Sequence, residues 1–263
     1  MERSVGLLRF LAIHAHPDDI EFQCAGTLAL LKQKGHHITL ATMTAGDCGS
    51  AEHSRTQISA IRREEARQSA EVLGAEYFCL DFDDLRIVDD NPSRMRVTEL
   101  LRQVSPDVVI TAPPVDYMVD HEMTSRLVRQ ATFNAPIPNY TTGATMPAGP
   151  LESIPHLYYV DPLEGTDYFG HPQPADFFID ITLTFEIKRT MLACHASQRD
   201  WLFRQHGIDE YLEAQRRWSA KRGKQVGVEY AEAYRQHKGH PYPHDNIIGE
   251  LLAISHETEG TRP

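Results

Sequence analysis

The sequence predicts an α/β fold, with a mostly parallel sheet covered by helices on both faces and an active site at the carboxyl ends of the strands. Three observations predict it. Short apolar runs alternate with segments of helical periodicity over roughly the first 200 residues. At 263 residues and 41% apolar content, the chain can bury a large core. Its clusters of His and Asp directly follow the first and fourth apolar runs.

The first run, "LLRFLAI", is followed by "FQCAGTLALLKQKG", where Ala25, Leu28 and Leu31 keep helical spacing and Gly35 is a stop signal. "HITLATMT" is the second strand. "TQISAIRREEARQSAEVLGA" is a helix, with Ile58, Ile61, Ala66 and Leu73 near one face and a terminal Gly74. "EYFCLDF" is the third strand. "VTELLRQVSPDVVITAPP" supplies a helix and the fourth strand, punctuated by Pro106 and ended by Pro113 and Pro114. Repeated strand and helix units of this kind imply right-handed crossovers in a parallel sheet.

From about Thr141 to Ala175, Pro and Gly mark long loops around a short strand, "HLYYVD". "FFIDI" is a further strand, "LTFEIKRTMLACHASQ" a helix, and "IDEYLEAQRRWSAKRGKQ" a charged helix ending near Gly223. A single domain over residues 1–263 is expected, with a helical and extended appendage from about residue 207 to the end.

Charge and cysteine usage exclude several classes. A formal net charge of -11 and a pI of about 5.7 leave no excess of cations for nucleic acid or an anionic membrane. Cys24, Cys48, Cys79 and Cys194 lie far apart, which reads as free thiols in a reducing cytoplasm. No segment has the length of a signal core or a membrane span. The turn after the first strand lacks GxGxxG and the chain has no GxxxxGK[ST], so a nucleotide is not expected there.

The chemistry centres on "AIHAHPDDIEF", Ala12 to Phe22. A structural account exists: Asp18 as an N-cap, Glu21 as its capping-box partner, and both favouring the positive end of the helix. That account leaves His16 and Asp19 unexplained. Three acids at the mouth of a sheet repel one another unless a cation is present. His16 and Asp19 are suitable zinc ligands, and a catalytic zinc takes three protein ligands. "VDHE" at the end of the fourth strand makes His121 the natural third. His14 shares the face of His16 one alternation deeper and is expected as a buried, hydrogen-bonded histidine.

"AHPDD" followed about a hundred residues later by "DYMVDH" resembles the LmbE-like, PIG-L-type zinc-dependent N-deacetylases, which act mostly on N-acetylglucosamine derivatives. The likeness extends to "RREEARQSAEVLG", to the acidic turn at Asp83 and Asp84, and to "HASQ" at His195 to Gln198. The resemblance implies a Rossmann-like fold, a Zn²⁺ cofactor held by His16, Asp19 and His121, and Asp18 as the general base. It further implies substrate contacts from Arg62 and Asp84, beside the plain alternative of an Arg62–Glu65 salt bridge along the helix. "TAGDCGS", Thr44 to Ser50, matches a substrate-facing region.

Met118 departs from the family, whose second motif reads HxDH with a histidine at that position. Asp120 is then expected to hydrogen-bond His121 or a backbone group. His195 or Tyr117 would replace the missing imidazole, with a helix-end cation as the plain alternative for His195. His237, His240 and His244 are spaced loosely for zinc and are expected to serve structure or subunit contact, in a homo-oligomer if one forms. The reading is a zinc hydrolase removing an N-acyl group from a small amino-sugar conjugate, with another divalent metal acceptable at the site. The competing readings are an amidase on a thiol or glycoside conjugate, an esterase or phosphatase, and a non-catalytic metal-binding protein on the same scaffold.

Overall fold

The computed structural model describes residues 6–206, 210–252 and 256–257. The elements are β1 (Arg9–His14), α1 (Asp19–Gln23), α2 (Ala25–Gln33), β2 (His37–Thr44), α3 (Arg55–Leu73), β3 (Glu76–Phe82), α4 (Asn91–Val104), β4 (Val108–Thr111) and α5 (Val119–Asn134). They continue with β5 (His156–Val160), β6 (Phe177–Asp180), α6 (Phe185–Ala193), α7 (Ala196–His206), α8 (Tyr211–Val226), β7 (Ala231–Gln236), α9 (Ile247–Leu252) and β8 (His256–Glu257).

The fold is mixed α/β, its sheet ordered β3-β2-β1-β4-β5-β7-β6-β8. Pairings from β3 through β5 are parallel, and those involving β7 and β8 are antiparallel. Strand order reverses between β1 and β4. In open α/β sheets the crevice outside the carboxyl ends at such a reversal is where ligands bind.

Burial on both faces explains the unbroken apolar runs. Along β1, Phe10 and Ala12 join Leu28, Leu31, Leu73 and Met191 on one side of the sheet. Leu11 and Ile13 join Leu101, Val109 and Leu127 on the other. The long helix α3 has its own start and stop: a Ser54–Gln57 capping box and a left-handed Gly74 at the C-cap.

Two local expectations change. The first helical segment breaks at Cys24 into α1 and α2, and "LTFEIKRTMLACHASQ" breaks between α6 and α7. The segment expected as an appendage contributes β7 between β5 and β6, inside the sheet; residues 207–209, 253–255 and 258–263 of it lie outside the described part. The charged residues of "AEAYRQ" hide the alternation of this strand. Glu232 supplies the physical reason for its place. Its carboxylate accepts the Gly26 and Thr27 amides at 2.9 and 2.8 Å, capping α2 from a strand about 200 positions later. Lys188 on α6 neutralises it at 2.5 Å and also donates to the Phe22 carbonyl at 2.8 Å.

Candidate metal centre

The turn after β1 closes on itself, the His16 amide donating to Asp19 Oδ2 at 2.8 Å. Asp18 occupies the N-cap position of α1 with a left-handed φ of 101° and makes no side-chain cap hydrogen bond. Its side chain points elsewhere: the Tyr211 hydroxyl, from α8, donates to Asp18 Oδ2 at 2.5 Å. Glu21 does not complete a capping box either. It accepts from the Ser69 hydroxyl at 2.6 Å and lies 3.1 Å from His195 Nε2. The capping account of these acids therefore fails on geometry, and a strained backbone at Asp18 marks a position fixed by its surroundings.

His16, Asp19 and His121 present one ligand atom each within 4.8 Å of one another. His16 Nδ1 lies 3.4 Å from Asp19 Oδ2, and His121 Nε2 lies 3.4 Å from Asp19 Oδ1. The outer nitrogens are held by carboxylates. His121 Nδ1 is 2.9 Å from Asp116 Oδ1, while His16 Nε2 is 3.1 Å from Asp84 Oδ1 and 3.3 Å from Asp120 Oδ2. Such outer contacts orient the rings and raise the basicity of the inward nitrogens.

Asp120 thus backs His16 rather than His121, and it also accepts the Leu85 amide at 2.8 Å, which docks the acidic turn onto the site. Asp116 takes the place at His121. The signal for Asp116 was present at the head of "DYMVDH", but a carboxylate five positions before a helical histidine has no fixed partner until the loop is folded. Asp84 lines the cavity with its oxygens directed to His16 and to the Cys48 amide, the latter at 3.1 Å.

Arg62 is buried and reaches back to the motif, donating to the Pro17 carbonyl at 3.0 Å and the Gly46 carbonyl at 3.2 Å, with Asp18 Oδ2 at 3.9 Å. A Cβ at Gly46 would collide with the guanidinium, so that loop position requires glycine. Glu65 does not pair with Arg62; it accepts from the amide and hydroxyl of Ser197 at 2.8 and 2.6 Å. His195 is fully buried behind Asp18 and does not line the cavity, whereas Tyr117 and Met118 do. His14 is buried as expected, but its Nε2 has no hydrogen-bond partner among the described residues.

Electrostatics show what the cluster demands. Burial alone would lower the His121 pKa, yet Asp19 and Asp116 raise it to about 10. His16 likewise rises against burial, through Asp120, Asp19 and Asp84. Burial opposes ionisation of Asp19, but the two imidazoles hold its carboxyl well below the usual range. Two imidazoles surrounded by four carboxylates make a site for positive charge. Two His and one Asp, converging and backed from outside, match a three-ligand site for a divalent ion. Asp18, outside this ligand set, has its pKa raised by burial, with Arg62 opposing and Asp19 adding to the shift.

The cluster forms the floor of a cavity of about 780 Å³, whose far wall is built by α7, α8 and the 163–164 turn. Among the described residues, no helix is long and apolar enough to cross a membrane.

Residues 11–132 match the family described as PIG-L: GlcNAc-PI de-N-acetylase. Over 196 residues the chain is 26% identical to a 4-oxalmesaconate hydratase of Pseudomonas putida, covering 72% of this chain and 73% of that protein. It is equally 26% identical over 196 residues to the diacetylchitobiose deacetylase of Thermococcus kodakarensis, with 72% and 70% covered. The solved structure of the N,N'-diacetylchitobiose deacetylase of Pyrococcus horikoshii, in complex with its inhibitor MPG, superposes with a TM-score of 0.73 at 25% identity, covering 91% of this chain and 88% of that one.

Proposed function

The chain is an enzyme of the PIG-L (LmbE-like) family, matched over residues 11–132, and from that premise we propose that it hydrolyses the N-acetyl or another N-acyl group of an amino-sugar conjugate. The observation that carries this reading is the convergence of His16, Asp19 and His121 with Asp18 beside them and outside the ligand set. Those three residues would hold Zn²⁺ or a similar divalent ion, which supplies Lewis acidity to acidify water and polarise the acyl carbonyl.

Asp18 removes the proton from the attacking water. Tyr211 engages Oδ2, which leaves Oδ1 for that task among the described contacts. Its raised pKa brings the carboxyl nearer the range in which one group both accepts and returns a proton. Asp18 then delivers that proton to the amine nitrogen as the C–N bond breaks, giving free amine and carboxylate. Arg62 clamps the Pro17 carbonyl and keeps the carboxylate over the floor of the cavity. Asp116, Asp84 and Asp120 hold the imidazoles in register.

A second reading is hydration. Met118 lines the cavity where the deacetylase resemblance implies an imidazole, and a named hydratase is as similar in sequence as a named deacetylase. We place the enzyme in the cytoplasm, where four free thiols persist, with a small molecule as its partner. The test is free-amine release by zinc-loaded protein across a panel of N-acetylglucosamine conjugates, with Asp18→Asn as control. Release by the wild type alone supports deacetylation. No amine from any conjugate, with water addition to unsaturated carboxylic acids instead, would transfer the assignment to hydration.

A further inference from the structure

We propose that Tyr211 is a positioning residue, whose hydroxyl fixes one oxygen of the Asp18 carboxylate so that the other takes the proton from water and returns it to the leaving nitrogen. The inference rests on the reading of Asp18 as the base. Tyr211 opens α8, well beyond the family match that ends at residue 132, so the resemblance assigns it no role. Asp18 makes no cap hydrogen bond, and the Arg62 guanidinium stands 3.9 Å from its Oδ2, outside hydrogen-bond range. The Tyr211 hydroxyl, 2.5 Å from the same oxygen, is the donor to this carboxylate among the described contacts. Tyr211 is 7% exposed, and burial beside Asp18 holds its phenol well above the usual tyrosine range, so it keeps its proton and remains a donor.

Helix α8 is seated to hold that hydroxyl still. Gln215, one turn after Tyr211 on the same face, donates to the Glu21 carbonyl at 2.9 Å and the Lys188 carbonyl at 3.4 Å. The helix thus grips α1 at its head and again within its first turn. This chain has a particular need for such an anchor. Met118 lines the cavity where the family has an imidazole, so no histidine at that position hands a proton to the departing amine. Asp18 must serve both steps: the water O–H bond breaks with its proton on Oδ1, and that proton forms the new N–H bond as the C–N bond breaks. Tyr211 keeps its own proton throughout. The terminal torsion of an aspartate is soft, so a carboxylate anchored at neither oxygen would turn between the two transfers.

Tyr211→Phe removes the hydroxyl and keeps the ring. With zinc-loaded protein and an N-acetylglucosamine conjugate that the wild type turns over, kcat should fall about 10–100-fold while KM stays within about twofold. In the Asp18→Asn background the same substitution should cost nothing further, because no base remains to be aligned. An equal loss in both backgrounds would reveal a purely structural role and overturn the inference, as would an undiminished kcat in Tyr211→Phe. Crystal structures of the zinc-loaded wild type and Tyr211→Phe add a readout independent of turnover. The wild type should show one Asp18 rotamer on the Tyr211 hydroxyl, and the variant a rotated or divided carboxylate beside an intact set of His16, Asp19 and His121. A carboxylate unmoved in the variant, or one turned away from Tyr211 in the wild type, would overturn the inference whatever the stability of the variant. Absence of amine release by the wild type, with Asp18 held by Tyr211 there and released in the variant, would sink the amide reading and support the positioning role.

Discussion

Lys188→Met removes a buried cation from the junction that supports the metal centre. The Lys188 ammonium is 2.5 Å from Glu232 Oε1 and 2.8 Å from the carbonyl of Phe22, and both side chains are almost fully buried. In the variant, Glu232 still accepts the Gly26 and Thr27 amides and the Tyr234 hydroxyl, at 2.9, 2.8 and 3.0 Å, so these three hydrogen bonds survive. Its charge does not, because methionine fills the volume without neutralising it. Breaking a buried pair on one side costs about 3–5 kcal/mol. Of that, the bond to the Phe22 carbonyl accounts for about 1–3 kcal/mol as a buried acceptor left unmade.

Urea unfolding followed by circular dichroism measures the loss, with Lys188→Met/Glu232→Gln as the second arm. The double variant should recover a substantial part of the deficit, since it removes the uncompensated charge and keeps an acceptor for the helix amides. A deficit below about 1 kcal/mol in the single variant, or no recovery in the double, would refute the reasoning. Phe22 belongs to the same short helix as Asp19. The single variant should therefore also bind zinc more weakly, a consequence the double variant shares because both lack the ammonium.

Other outcomes follow from the site. Asp18→Asn should keep zinc and lose about 10²–10⁴ in kcat, measured by amine release beside metal analysis, whereas His121→Ala should lose the metal itself. Asp116→Asn should weaken zinc affinity about 10–100-fold, read by competition with a chelating dye; an unchanged affinity would remove Asp116 from its role behind His121. Burial would lower the His195 pKa, but Glu21 and Asp18 raise it. A raised histidine contributes stability that is complete below its unfolded pKa near 6.5 and is lost as pH climbs through the higher folded value. Metal-free protein should therefore lose stability as pH rises above about 6.5, and His195→Gln should lack that part of the slope in melting curves taken across pH.

The local parts of this enzyme were legible because contiguous residues carry them. Apolar runs flanked by Gly and Pro gave the strands of the parallel half, and "AHPDD" and "DYMVDH" placed His16, Asp19 and His121 at adjacent strand ends. Asp19 stood out from Asp18 as a candidate ligand because capping left it unexplained, whereas the general-base role of Asp18 came from the resemblance. The capping box proposed there was locally sound, yet the folded chain gave Glu21 to Ser69 and His195, and Asp18 to Tyr211.

Tertiary structure alone decided the rest. Tyr211 reaches Asp18 across 193 positions, and Glu232 reaches Gly26 across 206. Neither partnership has a spacing that a pattern could reveal. The pairing of Asp116 with His121 and of Asp120 with His16 has the same origin, because one loop and one helix turn offer both carboxylates and only packing selects which imidazole each one meets. Sequence determined the candidate ligands and the strand ends that bear them, because those depend on local periodicity and chemistry. Strand order and side-chain packing decided which carboxylates meet His16 and His121 and which hydroxyl meets Asp18, because these depend on the closure of long loops.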